Sequence, residues 1–69
     1  MDWSDIEEIS EMLEELYPQQ DLLQLRFTEL HRMVMQLPGF NGHAERCNER
    51  ILEAIQGNWI VLRQENDNA

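Results

Sequence analysis

The 69-residue sequence contains no lysine, a single cysteine and no long run of apolar residues. Because Cys47 is alone, no disulfide can form within the chain, and the paired cysteines of a zinc site are absent. No stretch approaches the roughly 18 apolar residues that a membrane-spanning helix needs. The acidic N-terminal residues are not typical of a secretory signal peptide, whose first residues are basic. We therefore expect a cytoplasmic protein that does not associate with membranes.

Acidic residues far outnumber basic residues in this sequence. Fourteen aspartates and glutamates stand against five arginines, which gives a net charge of −9. Such a charge repels nucleic-acid phosphates and anionic lipids, and it attracts cations and basic protein surfaces. A hydrophobic content of 42% and two tryptophans favour a folded domain over a disordered acidic segment.

Hydrophobic periodicity predicts a mainly α domain of three helices, with at most one or two short strands. The first helix begins at a capping box of Ser4 and Glu7, in which each side chain accepts a hydrogen bond from a backbone N–H group. This helix ends at Pro18, which cannot continue it. Its apolar face is predicted to consist of Ile6, Ile9, Leu13, Leu16 and Tyr17.

A connector, residues 19–27, separates the first helix from the second. Its apolar residues alternate, which predicts a short extended piece with three side chains on one face. These residues are Leu23, Leu25 and Phe27. Thr28 is the predicted cap of the second helix, which runs to about Leu37 and stops at Pro38. The apolar stripe of this helix is predicted as Leu30, Met33, Val34 and Leu37.

The third helix is predicted from about Ala44 to about Leu62, after a turn at residues 41–42. Residues 1–63 then form one helical domain, and the polar residues 64–69 form a frayed tail. The core-facing residues of the third helix are predicted as Cys47, Ile51, Ala54, Ile55, Trp59 and Leu62.

Glutamates cluster on the side of the first helix opposite its apolar stripe. At about 100° per residue they fall within a sector of roughly 120°, and no basic residue interrupts them. A solvated helix face without a function gives the same pattern, since glutamate favours helices. We favour an acidic docking or metal-binding surface, because neutral surfaces usually mix charges of both signs. The clustered residues are Glu7, Glu8, Glu11, Glu14 and Glu15.

Carboxylates spaced at i, i+3 and i+7 on one helix can converge on a hard cation. Glu8, Glu11 and Glu15 have this spacing. An exposed site of this kind is expected to bind weakly and to choose poorly between metals.

The histidines and the cysteine give a weaker signal. His43 and Cys47 lie four residues apart, but two ligands at this spacing do not define a metal site. We expect Cys47 to be a small residue at the margin of the core and His31 to be a partly buried residue of the second helix. Nucleophilic catalysis by Cys47 would need a histidine base and a pocket, for which so small a domain has little room. No enzymatic activity is therefore expected.

Five segments spread between Trp3 and Trp59 form one specific pattern. They are Trp3-Ser4-Asp5, Tyr17-Pro18, Leu25-Arg26-Phe27-Thr28-Glu29-Leu30-His31, Asn48-Glu49-Arg50-Ile51-Leu52-Glu53-Ala54-Ile55 and Trp59. The pattern resembles the IscX family, small acidic accessory proteins of bacterial iron–sulfur cluster assembly. This resemblance implies a winged-helix-like fold and binding to the basic surface of the cysteine desulfurase, in competition with the frataxin homologue. It also implies weak binding of Fe²⁺ by surface carboxylates.

The resemblance also implies which carboxylates bind iron and which bind the partner. Carboxylates that match the family pattern are Asp5, Glu8, Glu11, Glu15, Asp21, Glu29, Glu49 and Glu53. The predicted Fe²⁺ ligands are Asp5, Glu8, Glu11 and Glu15. The predicted partner-binding residues are Glu7, Glu8, Glu11, Glu14, Glu15 and Asp21. The loop 41–44 reads Asn-Gly-His-Ala where the family is rich in aspartate and proline, so iron contacts are not carried over to it. The protein is expected to be a monomer.

Two other functions stay open at this point. One is an acidic adaptor that has no connection with iron–sulfur clusters. The other is DNA binding, for which winged-helix domains are best known. It conflicts with the charge of −9 and with Arg32 as the only basic residue of the second helix, because each phosphate contact needs a positive group.

Overall fold

The computed structural model describes residues 1–67, and in this range it contains three α-helices, a short 3₁₀ turn and no β-strand. The mainly α prediction is therefore confirmed. No helix among these residues is both long and apolar enough to cross a membrane. In chain order the elements are α1 (Ile6–Leu16), α2 (Phe27–Met35), the 3₁₀ turn (Ala44–Arg46) and α3 (Glu49–Asp67).

One hydrophobic core joins the three helices, and the most extensive packing is between α1 and α3. Each large apolar side chain that becomes fully buried stabilises the fold by about 1.5–3 kcal/mol. The connecting segments also contribute, so the core is not made by the helices alone. Its buried residues are Trp3, Ile9, Leu13, Leu22, Leu25, Leu30, Val34, Leu37, Leu52, Ile55 and Trp59.

The start of α1 is arranged differently from the predicted capping box. The Ser4 hydroxyl donates to Oδ1 of Asp2 over 2.6 Å. Asp5 occupies the cap position without a side-chain hydrogen bond into the helix, and its Oδ2 accepts from the N–H of Asp2 at 2.9 Å. The capping-box prediction for Ser4 and Glu7 is wrong because the helix begins at Ile6, so that Asp5 and not Ser4 holds the cap position.

The connector before α2 is a turn and not an extended piece. Oδ1 of Asp21 accepts hydrogen bonds from the N–H groups of Leu23 and Gln24, at 3.0 and 3.2 Å. This bend leaves Leu23 85% exposed while Leu25 is buried, so the prediction that they share one face is wrong.

The boundaries of α2 also differ from the prediction. Phe27 is already the first residue of α2, and Arg26 holds the cap position that was predicted for Thr28. The helix ends at Met35, two residues before the predicted end at Leu37. The predicted apolar stripe is present. Leu30, Val34 and Leu37 are buried in the core, and Met33 is partly buried against it.

The third helix begins later and ends later than predicted. It starts at Glu49, where Oδ1 of Asn48 accepts from the N–H of Ile51 at 2.9 Å and caps the first turn. It continues to Asp67 because side chains beyond Leu62 are bonded to α1. The predicted frayed tail therefore falls partly within a helix, and residues 68–69 lie outside the described residues.

The inward face of α3 was predicted only in part. Ile55 and Trp59 are fully buried as predicted. Leu52 is buried although it was not predicted, and Ala54 is exposed although it was. Leu52, Ile55 and Trp59 have the i, i+3, i+7 spacing of a single helix face, and Ala54 does not belong to it.

Candidate functional site: the acidic face of the first helix

Four glutamates form an exposed surface on α1, named here the acidic face: Glu7, Glu8, Glu11 and Glu15. The opposite side of the helix is anchored, because Ile9 and Leu13 are completely buried. None of the four glutamates forms an ion pair with another residue of the described range. Their charges are therefore available to a cation or a basic surface from outside.

Glu14 belongs to the same sequence cluster but does not lie on the acidic face. Its Oε1 accepts from Nε1 of Trp59 at 2.9 Å, and from Nε and Nη2 of Arg63 at 3.1 and 3.0 Å. Its Oε2 accepts from Nδ2 of Asn66 at 3.2 Å. Glu14 therefore joins α1 to α3 through its hydrogen bonds. It is not exposed with the other predicted partner-binding residues of α1.

Arg63 completes this junction. Its Nη2 donates to the carbonyl oxygen of Tyr17 at 2.9 Å, its Nη1 donates to the carbonyl oxygen of Gln20, and its guanidinium carbon lies 5.7 Å from the centre of the Trp59 ring. The side chains of Arg63 and Glu14 are only 20% and 15% exposed. An Arg–carboxylate pair with several hydrogen bonds in a partly buried place is stronger than a solvated surface pair.

The hydrogen bonds also set the pKa of Glu14. Partial burial acts to raise this pKa, but hydrogen bonds from Trp59, Arg63 and Asn66, together with the charge of Arg63, outweigh burial and bring it below 4.5. The carboxylate is therefore held in its charged form in the folded state more firmly than in the unfolded chain.

This shift gives a pH-dependent stability. Because the folded-state pKa is lowered, the contribution of Glu14 is present above the unfolded pKa of 4.5 and is lost as pH falls through the folded-state value. We expect Glu14→Gln to lower the free energy of unfolding by about 1 kcal/mol at pH 7, and the difference from wild type to shrink in acid. Urea unfolding at a series of pH values measures both.

Glu11→Gln is the matched control, because Glu11 lies on the same helix and is exposed. Its effect on unfolding at pH 7 should be within about 0.5 kcal/mol. A Glu14→Gln deficit that stays constant down to strongly acidic pH would show that the carboxylate charge does not hold α1 on α3.

The predicted Fe²⁺ ligands are not brought together as a metal-binding group. Among residues 1–67, no group of three or more histidine, cysteine, aspartate or glutamate side chains is placed to hold a metal ion. One carboxylate of the set, that of Asp5, accepts a hydrogen bond from Asp2. Glu8, Glu11 and Glu15 are exposed on one helix face, where like charges repel one another. This donor set does not fit a chelated ion.

Asp21 lies apart from the acidic face. It is exposed in the connector after α1, and its Oδ1 holds the turn at Leu23 and Gln24. It lines the same shallow depression as Arg63, near the C-terminal end of α1. Its charge is therefore exposed near Arg63 and apart from the acidic face, and the backbone already uses one of its oxygens.

His31 and Cys47 line the same shallow depression, but among the described residues neither histidine is hydrogen-bonded to the thiol, which lies 3.8 Å from the carbonyl oxygen of Asn48. His43 and Cys47 flank the 3₁₀ turn and do not share a helix face. Burial raises the pKa of the Cys47 thiol above 9.0, so the thiol is protonated at neutral pH. The predictions that Cys47 lies at the core margin and that His31 is partly buried are confirmed. The ring of His31 stacks on Trp3 at 5.4 Å between centroids.

Comparison with known proteins places this chain in a family. The family model for iron–sulphur cluster assembly matches residues 1–64 of the chain. The chain belongs to that family, the IscX family. An uncharacterised protein of Pseudomonas aeruginosa is 41% identical to it over 61 residues, which are 88% of this chain and 92% of that relative. The family indicates a role in iron–sulfur cluster assembly, as the sequence resemblance predicted.

Proposed function

We propose that this IscX-family protein works in iron–sulfur cluster assembly as an adaptor that docks its acidic face on the basic surface of the cysteine desulfurase. The observation that supports the proposal is the unpaired acidic face: four exposed glutamates on a helix whose other side is fixed in the core. A rigid, single-sign surface of this kind steers a partner of opposite charge and fixes its orientation.

The proposal assigns no catalytic step to this chain. Adaptor action fits an exposed surface of carboxylates, which needs only a partner of opposite charge. Because the frataxin homologue is expected to use the same basic surface of the desulfurase, the two proteins compete for it. Competition then changes how fast sulfur is delivered to the assembling cluster.

Fe²⁺ has a secondary place in this proposal. The carboxylates fit no chelated ion, so Fe²⁺ is held by the general attraction of the acidic face and keeps most of its water ligands. Such binding is weak and shared with other divalent cations. Protein docking, and not metal transport, is then the main use of the acidic face.

The test is a calorimetric titration of the protein into purified cysteine desulfurase at increasing salt. We expect a Kd of about 1 µM at low salt and a steep loss of affinity toward 0.5 M salt, because exposed charges are screened over about 10 Å at 0.1 M. Backbone NMR resonances of α1 should respond first. Affinity that does not change with salt, or responses centred on α2, would contradict docking through the acidic face.

A further inference from the structure

A groove of about 770 Å³ lies on another part of the surface, between the N-terminal segment and the start of α3. One wall is formed by residues 2–4 and Ile6, and the other by residues 41–43, the 3₁₀ turn at Arg46 and the first two turns of α3. It meets the acidic face only at its edge, where Ser4 and Ile6 border both. Its volume is in the range of sites that bind ligands in folded proteins.

The floor of the groove is apolar and firmly held. Trp3 is 5% exposed, and its Nε1 donates to the carbonyl oxygen of His43 at 2.7 Å. The ring of Phe40 meets Trp3 edge-on, at 4.8 Å between centroids. Ile6 and Ile51 continue this apolar lining toward α3. Trp3 thus fixes the floor, and the half-buried side chains of Ile6 and Ile51 offer preformed contact area to apolar side chains.

Two arginines lie at the rim of the groove. Arg46 comes from the 3₁₀ turn and Arg50 from the first turn of α3, and both are exposed. Within residues 1–67, neither side chain forms an ion pair or a hydrogen bond, in contrast to Arg63. Arg50 also lies near the positive end of the α3 dipole, where a cation is unfavourable. These two guanidinium groups therefore contribute little to the fold and are free to bind an anion.

The acidic groups on the opposite wall do not neutralise the arginines. Asp2 lines the groove, but its Oδ1 accepts from the N–H and the hydroxyl of Ser4, at 2.9 and 2.6 Å. No oxygen of Asp2 lies within ion-pair distance of either arginine. The groove thus combines a basic rim and an apolar floor within a protein of net charge −9.

We infer that this groove binds a short acidic segment of a protein partner, with carboxylates on Arg46 and Arg50 and apolar side chains on the floor around Trp3. Guanidinium groups recognise carboxylates through paired hydrogen bonds. A protein segment is favoured over nucleic acid because the apolar floor matches side chains and not phosphates. The inference does not depend on the proposed docking to the desulfurase.

The test is an NMR titration with an acetylated and amidated six-residue peptide of alternating aspartate and leucine. We expect shifts of the Trp3 indole N–H and of backbone resonances over residues 46–51. In the double variant Arg46→Gln/Arg50→Gln, the affinity should fall by about tenfold or more. The double variant Arg26→Gln/Arg32→Gln removes the same charge from exposed positions of the α2 region outside the groove, and it should bind as the wild type does.

Three further probes decide between ligand classes. The same peptide with asparagine in place of aspartate should bind at least about tenfold more weakly, and inorganic phosphate or a short DNA duplex should leave the Trp3 resonance unshifted. The inference is overturned if the acidic peptide does not bind, or if it binds the Arg46→Gln/Arg50→Gln variant equally well. Equal binding of the asparagine peptide, or a matching response to phosphate or DNA, overturns it too.

Discussion

Binding to the cysteine desulfurase should be lost in the triple variant Glu8→Lys/Glu11→Lys/Glu15→Lys. Each substitution changes the charge of the acidic face by two, so a surface that attracts a basic partner becomes one that repels it. Like charges placed together across an interface cost several kcal/mol, which corresponds to an affinity loss of about 100-fold or more. The helix itself should persist, because lysine is a good helix former. Calorimetry and circular dichroism measure the two quantities.

The control is a second triple variant with the same change in net charge at exposed glutamates elsewhere, Glu29→Lys/Glu53→Lys/Glu65→Lys. These residues lie on α2 and α3, away from the acidic face. We expect their reversal to weaken binding by less than about tenfold, through the long-range field alone. Equal losses in both triple variants would show that only net charge matters. Unchanged binding of the first would show that the acidic face takes no part.

The largest effect on stability is expected for Trp59→Ala. Trp59 is the largest fully buried side chain, and its Nε1 also donates to Glu14. Removing a large aromatic side chain from a core costs about 3–5 kcal/mol. A chain of this length has a total stability of roughly 4–10 kcal/mol. We therefore expect the variant to be partly or largely unfolded at 37 °C, as measured by thermal and urea unfolding.

Two further variants separate the contribution of the buried Trp59 ring from that of its hydrogen bond to Glu14. Trp59→Phe keeps most of the buried ring but removes the N–H donor to Glu14, and it should lose about 1–2 kcal/mol. Val61→Ala is the control on the same helix, since Val61 is 49% exposed, and it should lose less than about 1 kcal/mol. If Trp59→Ala unfolds at the same urea concentration as Val61→Ala, then Trp59 does not hold α3 on α1.

The sequence predicts the acidic face well because that surface depends on local geometry. In α1, apolar and acidic residues alternate with the period of the helix. Burial of Ile9 and Leu13 on one side therefore leaves Glu8 and Glu11 on the other. No long-range contact is needed to make this surface. The sequence of α1 is therefore sufficient to predict it.

Other features depend on residues that are far apart in the chain. Glu14 has the same spacing as its neighbours, and only the folded structure shows Arg63, 49 residues further on, bonded to it. The groove combines Trp3 with Arg46 and Arg50, and no single segment contains that combination. Periodicity describes one element at a time and cannot say which elements meet.

Two local predictions failed because of competition between nearby polar groups. Ser4 matches a capping box, but Oδ1 of Asp2 accepts from both its N–H and its hydroxyl, and the helix begins later, with Asp5 at the cap position. Leu23 and Leu25 alternate as in a strand, but the carboxylate of Asp21 binds the N–H groups that follow and bends the chain. Short aspartate side chains satisfy backbone donors in turns, and this outweighs a weak apolar pattern of only three residues.

The packing of α1 against α3 also determines when this protein can fold during its synthesis. α1 is made early, but the groups that bind Glu14 lie 45 residues downstream at Trp59 and 49 residues downstream at Arg63. Until those residues leave the ribosome, Ile9 and Leu13 lack α3, the helix against which α1 packs most extensively. A helix of 11 residues is marginal alone in water. Folding therefore waits for α3, and meanwhile the glutamates keep the emerging chain apart from its neighbours by charge repulsion.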